Sequence, residues 1–439
     1  MKNILMLLIL LVILVVHYYY IVNIDLYSYP FDAHNDQALF QRIAYNLIAF
    51  NEFSGSLAKT KHFCVTRSPL YPYILSCSYL FNIKPILFIR IFQFFLTINA
   101  FILLYNISKE ILPSTKIRFF VIVLACIDPH IVATIHLILS ENISIFLLLL
   151  ITYLLQNNHT ILTGCAAGLL ILNRPVFIPY LLIILLIFFF LKRKCYIKGV
   201  CCIITALILI LPWSYLNKVK INQFVVTRAA GTGFNLFQNI IFILIDKNKL
   251  DLSYIYNSLE KLQIDTSYSF QQTCNSLICT DSLVAMKIYL KSWSKNPYPP
   301  SLVIKADQYL KKVSLNYIMK HKSILFDMFY FNYKNFIFKK YNFLIYSPIP
   351  YTYALYAYIL KSIFIICSIC VMLYWMRYRN KSLTIISMII LFFNLILVHA
   401  LFHSEPRYYI YLYPFMYICC AYLLQKIIVF LRNSLPYRI

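Results

Sequence analysis

The sequence predicts an all-α polytopic membrane protein, and three observations carry that prediction: composition, the length of the apolar runs, and the position of Lys and Arg between them. Of 439 residues, 61% are hydrophobic and 13% charged, with a mean hydropathy of +0.73, whereas an ordinary soluble domain is roughly a quarter charged. Runs long enough to cross a bilayer, upright or tilted, lie at about 4–22, 85–105, 131–155, 176–191, 199–216, 353–375, 383–401 and 407–430. Two shorter runs, 119–127 and 161–172, fall below the ~20 residues a lone span needs. Counted as sheltered crossings, they bring the total to about ten helices, and without them to about eight.

The first run follows Lys2 and extends from Ile4 to about Val22 with no small-residue cleavage site after it, which reads as a retained signal anchor. Short basic loops then set the orientation. Lys109, Lys116 and Arg118 mark one loop, Lys192, Arg193, Lys194 and Lys198 a second, Arg377, Arg379 and Lys381 a third, and Lys426, Arg432 and Arg438 the tail. The positive-inside rule places all four, and both termini, in the cytoplasm. Three regions follow: an N-terminal transmembrane module at 1–216 with its first outer loop at 23–84, a long extracytoplasmic segment at 217–352, and C-terminal transmembrane helices at 353–439. The long segment carries 17 Lys and Arg against 7 Asp and Glu, which long translocated segments tolerate. Its apolar pieces, Phe237 to Ile245 and Ile324 to Phe338, read as helices lying against the membrane surface.

The net charge of +25 has no folded nucleic-acid module to serve, so anionic lipid or a phosphate carried on a lipid is the expected partner, and nucleic acid is not. Six glycines leave no glycine-rich phosphate loop. Most of the 13 cysteines, such as Cys201, Cys202, Cys367, Cys370, Cys419 and Cys420, lie in apolar runs and read as small buried hydrophobes. Cys274 and Cys279 fall in a polar stretch, where an oxidising compartment permits a disulfide.

Eight acidic residues lie outside the long segment, and in this topology all but Glu110 are on the outer side: Asp25, Asp32, Asp36, Glu52, Asp128, Glu141 and Glu405. Acidic groups beside a bilayer are costly unless partnered, so their convergence on one face marks a candidate polar site. Asp36 begins a stretch with apolar residues at 40, 43, 44, 47 and 48, a helical period, which makes it either a helix cap or a working carboxylate at the start of an interfacial helix.

Several segments occur in a telling order. They are Phe31-Asp32-Ala33-His34-Asn35-Asp36 with Phe40, Ala44, Asn46 and Leu47; Thr66-Arg67-Ser68-Pro69-Leu70-Tyr71-Pro72; Ser140-Glu141-Asn142; Asn173-Arg174-Pro175; Leu211-Pro212-Trp213 with the stretch after it; and Ser404-Glu405-Pro406-Arg407-Tyr408-Tyr409 with Pro414. Over about residues 25–420 this order resembles the GT-C superfamily of membrane glycosyltransferases, in its aminoarabinose-transferase and protein-mannosyltransferase-like branch. The chain differs from that pattern at Phe40, where Tyr is usual, at Ser214-Tyr215-Leu216-Asn217, and at the proline between Glu405 and Arg407.

The resemblance implies a GT-C-like bundle of about ten helices that moves a sugar from a polyprenyl-phosphate donor to a lipid, glycan or protein acceptor. It implies action on the extracytoplasmic face of a multi-pass protein in the cell inner membrane, with membrane lipid as a further partner. A sugar phosphate already has a good leaving group, so one base and several cations suffice where a glycosidase needs two carboxyl groups. Asp36 is the expected base toward the acceptor hydroxyl or amine. Arg67, Arg174 and Arg407 are the expected phosphate ligands, since guanidinium matches phosphate oxygens in pairs and stays charged beside lipid; the competing role for each is snorkelling to headgroups. Asp32, His34, Glu141 and Glu405 are expected to orient the base or bind the acceptor. No fixed-spacing metal motif is present, so no cofactor is required, although Mg or Mn remains compatible with the acidic residues and His34. An oligosaccharide polymerase or ligase, and a multi-pass transporter of lipid-linked or anionic substrate, are the alternatives.

Overall fold

The computed structural model describes residues 36–56, 62–183, 196–226, 230–264, 268–270, 277–294, 298–338, 365–366, 368–371, 389–391 and 410–434. Among these residues the regular structure is helical, with no strand. The principal helices are α1 (Asp36–Phe50), α2 (Leu70–Leu80), α3 (Pro85–Ser108), α4 (Thr115–Ile127), α5 (Pro129–His136), α6 (Glu141–Gln156), α7 (Thr160–Asn173), α8 (Tyr196–Ile221), α9 (Thr232–Asp246), α10 (Leu252–Lys261), α11 (Thr280–Ser294), α12 (Pro300–Lys320), α13 (Ser323–Phe338) and α14 (Tyr413–Ser434).

Three helical stretches are long and apolar enough to cross a membrane: Pro85–Ser108, Ile197–Ile221 and Ile410–Leu431. They correspond to the runs read at 85–105, 199–216 and 407–430, and they establish a helical protein suited to a bilayer. Pro85 opens α3 at a position where its missing N–H costs nothing, and α8 runs on past Pro212, which lies inside it. The short runs at 119–127 and 161–172 lie in α4 and α7, of 13 and 14 residues. The run at 131–155 is not one helix. It divides into α5 and α6, and the connector 137–140 between them places Glu141 at a helix start. The runs at 4–22, 353–375 and 383–401 and the second half of 176–191 lie wholly or largely outside the described residues.

Two apolar cores result. The first gathers α2 to α7 with α14 and includes Leu104, Leu148, Leu170, Phe177 and Phe415. The second joins α9 to α13 to the N-terminal region, packing Phe237, Ile240, Ile288 and Leu310 with Leu39, Ile43, Phe53 and Trp213. Phe53, Phe63 and Tyr73 surround Trp213, with ring centroids 4.9, 5.7 and 6.5 Å from it. The Pro-Trp segment of α8 thus ties the membrane-suited bundle to the loop after α1.

The faces of the long helices that are exposed among the described residues are apolar. Phe94, Phe95, Ile98 and Ile102 on α3, and Ile204, Leu207, Ile208 and Leu211 on α8, are exposed, as expected where lipid is the solvent. Where α7 meets α8, two positions carry glycine. A Cβ on Gly164 or Gly168 of α7 would come within 2.5 Å of the Cys202 carbonyl oxygen or 2.9 Å of that of Ala206, so these glycines let the α8 backbone approach. Cys202 and Cys419 are buried free thiols, while Cys279 is disulfide-bonded to a sulfur outside the described residues. Cys274 also lies outside them.

Candidate functional site

Four of the eight residues singled out from sequence are described: Asp36, Arg67, Glu141 and Arg174. Asp32, His34, Glu405 and Arg407 lie outside the described residues. The four fall into two ion pairs. Asp36, the first residue of α1, meets Arg67 at 2.5 Å across a sequence separation of 31, and both side chains are largely buried. Arg67 precedes the Pro-Leu-Tyr-Pro run that starts α2, and its guanidinium lies 5.9 Å from the Phe40 ring centroid, a cation–π contact one helical turn from Asp36.

The second pair is built by a proline. Pro175 disfavours helical geometry in the residue before it, so α7 stops at Asn173 and Arg174 is extended, with φ −148° and ψ 106°. Its side chain turns to the start of α6, where one nitrogen is 2.8 Å from the Glu141 carboxylate and Nε donates to Ser140 Oγ at 3.0 Å. Glu141 is fully buried; as the first residue of α6 it also receives the favourable end of the helix dipole. Ser140 makes no side-chain cap bond to α6. The Arg174 guanidinium lies 5.7 Å from the ring of Tyr411.

Phe40 and Tyr71 connect the two pairs. Their ring centroids are 4.9 Å apart, and Tyr71 stands close enough to Glu141 to respond to its charge. Burial first, and then the Glu141 carboxylate, push the Tyr71 phenol well above its ordinary range, against an opposing hydrogen bond from Gln93. Tyr71 therefore stays neutral at working pH.

Polar side chains from three other helices fix the connector that carries Glu141. Gln37 Oε1 accepts from the Ile138 N–H at 3.0 Å, and Gln93 Nε2 donates to the Leu139 carbonyl at 2.9 Å and to Tyr71 Oη at 3.2 Å. Asn173 Nδ2 donates to the Ser140 carbonyl at 2.9 Å and to Ser144 Oγ at 2.8 Å. Sequence reasoning passed over Gln37 and Gln93. A signal for the second was present, because polar residues in an apolar span face the protein interior, and Arg90, Gln93 and Thr97 recur with helical spacing.

Among the described residues no group of three or more His, Cys, Asp and Glu side chains could hold a metal ion; Asp36 and Glu141 face arginines instead. Comparison of the chain with known protein families, curated proteins and solved structures gives no match.

Proposed function

We propose that this protein is a GT-C-type glycosyltransferase, a multi-pass bundle of about ten spans in the bacterial inner membrane. It transfers a sugar from a polyprenyl phosphate to a lipid, glycan or protein acceptor on the extracytoplasmic face. The observation that carries the reading is the largely buried Asp36–Arg67 pair at 2.5 Å, lying beside a second acid–arginine pair. A polymerase, ligase or transporter has no specific observation in its favour.

In the proposed reaction, Asp36 accepts the proton of the acceptor hydroxyl or amine as that atom attacks the anomeric carbon. The bond from that carbon to the phosphate oxygen breaks, and the phosphate leaves with the bonding electrons. Arg67 links the two halves of the step. While it holds the Asp36 carboxylate, the base is occupied; a substrate phosphate drawing the guanidinium toward itself releases the carboxylate for the proton. Positive groups facing the leaving phosphate stabilise charge that grows in the transition state. Glu141, paired with Arg174, supplies a fixed wall on the acceptor side.

The test is transfer from a panel of radiolabelled polyprenyl-phosphate sugars in membranes bearing wild type or Asp36→Asn. The expected result is transfer by wild type, reduced on the order of 10²–10⁴-fold in the variant, as for loss of a general base, with donor binding retained. If wild type neither binds nor consumes any sugar phosphate, the reading fails. Equal transfer by both proteins would reduce Asp36 to a structural residue.

A further inference from the structure

The two arginines just described each begin paired with a carboxylate. A third does not. Arg90 lies in the second turn of α3, half-buried, on the side of the helix where Gln93 and Thr97 are buried. Its Nε donates to the His136 carbonyl at 3.3 Å, at the edge of the connector that holds Glu141. One of its terminal nitrogens is sealed from solvent with no acceptor. No carboxylate among the described residues pairs with it. Asp128, which precedes α5, accepts from the Ile131 N–H.

A guanidinium nitrogen buried without an acceptor is costly, and the cost is relieved by an anion. The charges beside it define the sign of that missing group. Arg67 and Arg174 already hold Asp36 and Glu141, so the group left without a carboxylate among the described residues at Arg90 is a cation, and its missing partner is an anion. Leu87 and Ile91, exposed on the same two turns of α3, offer an apolar track that begins beside the charge. A ligand with an anionic head and a hydrocarbon tail matches both features.

We propose that Arg90 is a phosphate-binding residue of the site, taking an oxygen of a lipid-linked phosphate whose chain runs along α3. This deepens the proposed function and rests on its substrate class.

The experiment uses the full chain in phosphatidylcholine nanodiscs, with a short-chain polyprenyl phosphate as probe and the matching uncharged prenol as control. Arg90→Gln is expected to weaken binding of the phosphate on the order of ten- to a hundredfold, the range for a hydrogen bond to a charged group, and to leave prenol binding unchanged. Arg90→Lys, which keeps the charge but loses the planar fork, is expected to fall between. Protection of Arg90 from phenylglyoxal by polyprenyl phosphate in the wild type gives the same answer without a variant that must fold. Unchanged affinity in a folded Arg90→Gln, or no protection in wild type, overturns the proposal. Competition arms separate the sources. Displacement by inorganic phosphate at equal concentration, or by phosphatidylglycerol, keeps the anion site but overturns the polyprenyl source. If Arg90-dependent binding holds while no sugar is ever transferred, the glycosyltransferase reading fails and this site survives. If transfer proceeds undiminished in Arg90→Gln, the site fails and the reading survives.

Discussion

Two helix crossings, α7 on α8 and α9 on α12, use the same device in different surroundings. In each, a glycine allows one backbone to lie against the other: Gly164 against the Cys202 carbonyl, and Gly233 against the Asp307 carbonyl. Around the α7–α8 crossing the outer face of α8 is apolar and exposed. Around the α9–α12 crossing the helices carry ion pairs and polar caps. Asp307 Oδ1 accepts from the Phe234 N–H at 2.8 Å, Phe234 stacks on Tyr289 at 4.2 Å, and Lys247 of α9 pairs with Asp327 of α13 at 2.5 Å. The two crossings differ in what surrounds them, an exposed apolar face at the first and polar contacts at the second. Where lipid surrounds a helix, hiding an apolar side chain from it gains little, so close backbone approach must supply the attraction. At the α9–α12 crossing, buried apolar contacts supply more of it, and the glycine sits where a cap brings two backbones together.

The sharpest way to break this comparison is Gly233→Ala. The added methyl would overlap the Asp307 backbone carbonyl, which no rotamer can relieve, and shifting α9 would also break the Asp307 bond to Phe234. A loss of roughly 3 kcal/mol or more is expected, at the upper end for overpacking, together with early proteolysis between residues 230 and 338. Unfolding and limited proteolysis of the full chain in detergent would measure both. A variant as stable as wild type would show that the crossing is not held by backbone contact.

Next in size is Gly164→Leu, expected to destabilise by about 1–3 kcal/mol through overpacking alone, because no polar contact of the kind made by Asp307 is broken with it. Proteolysis of the 230–338 region should be unchanged. Coupled loss of both regions would mean that the Trp213 cluster transmits the disturbance, and Phe53→Ala would then be the informative second variant.

How much of this was legible from the chain depended on how local the cause was. Helix starts and stops were readable. Asp36 and Glu141 do open helices, Arg174 does sit on the turn that Pro175 enforces, and the segments 237–245 and 324–338 do lie in helices, because each of these depends on neighbours within a turn or two. The partner of each charge was not readable. Arg67 lies on Asp36 and Arg174 on Glu141, pairings fixed by how segments 31 and 33 residues apart in sequence pack. Arg42 shows the same limit. Nothing in an amphipathic pattern announces that a cation will be fully buried, with Nε donating to the Gly55 carbonyl at 3.0 Å, in the loop that Asn46 also grips through the Ser54 and Ser56 carbonyls. Gln37 and Gln93 belong to this class, since their partners on the connector exist only once α1, α3 and α6 are assembled.

The smallest expected effect tests the polar side of the comparison. Lys287 of α11 donates from Nζ to the Leu259 carbonyl and to the Leu262 carbonyl at 2.7 Å, with Glu260 at 3.3 Å. It thereby covers the carbonyls left open at the end of α10, where a positive charge also suits the helix dipole. Partial burial and then the neighbouring Lys291 lower its pKa, with Glu260 acting in opposition. A group whose folded pKa lies below its unfolded value favours the neutral form on folding, so this burial term opposes stability below the folded pKa and vanishes at high pH. The carbonyl contacts act in the other direction. Lys287→Ala is therefore expected to cost only about 0.5–1 kcal/mol, the scale of a terminal cap, with faster amide exchange confined to the last turn of α10. Lys287→Met keeps the aliphatic stem and removes the charge, so equal exchange in Met and wild type would assign the stabilisation to packing of the stem, and exchange matching Ala would assign it to the capped carbonyls.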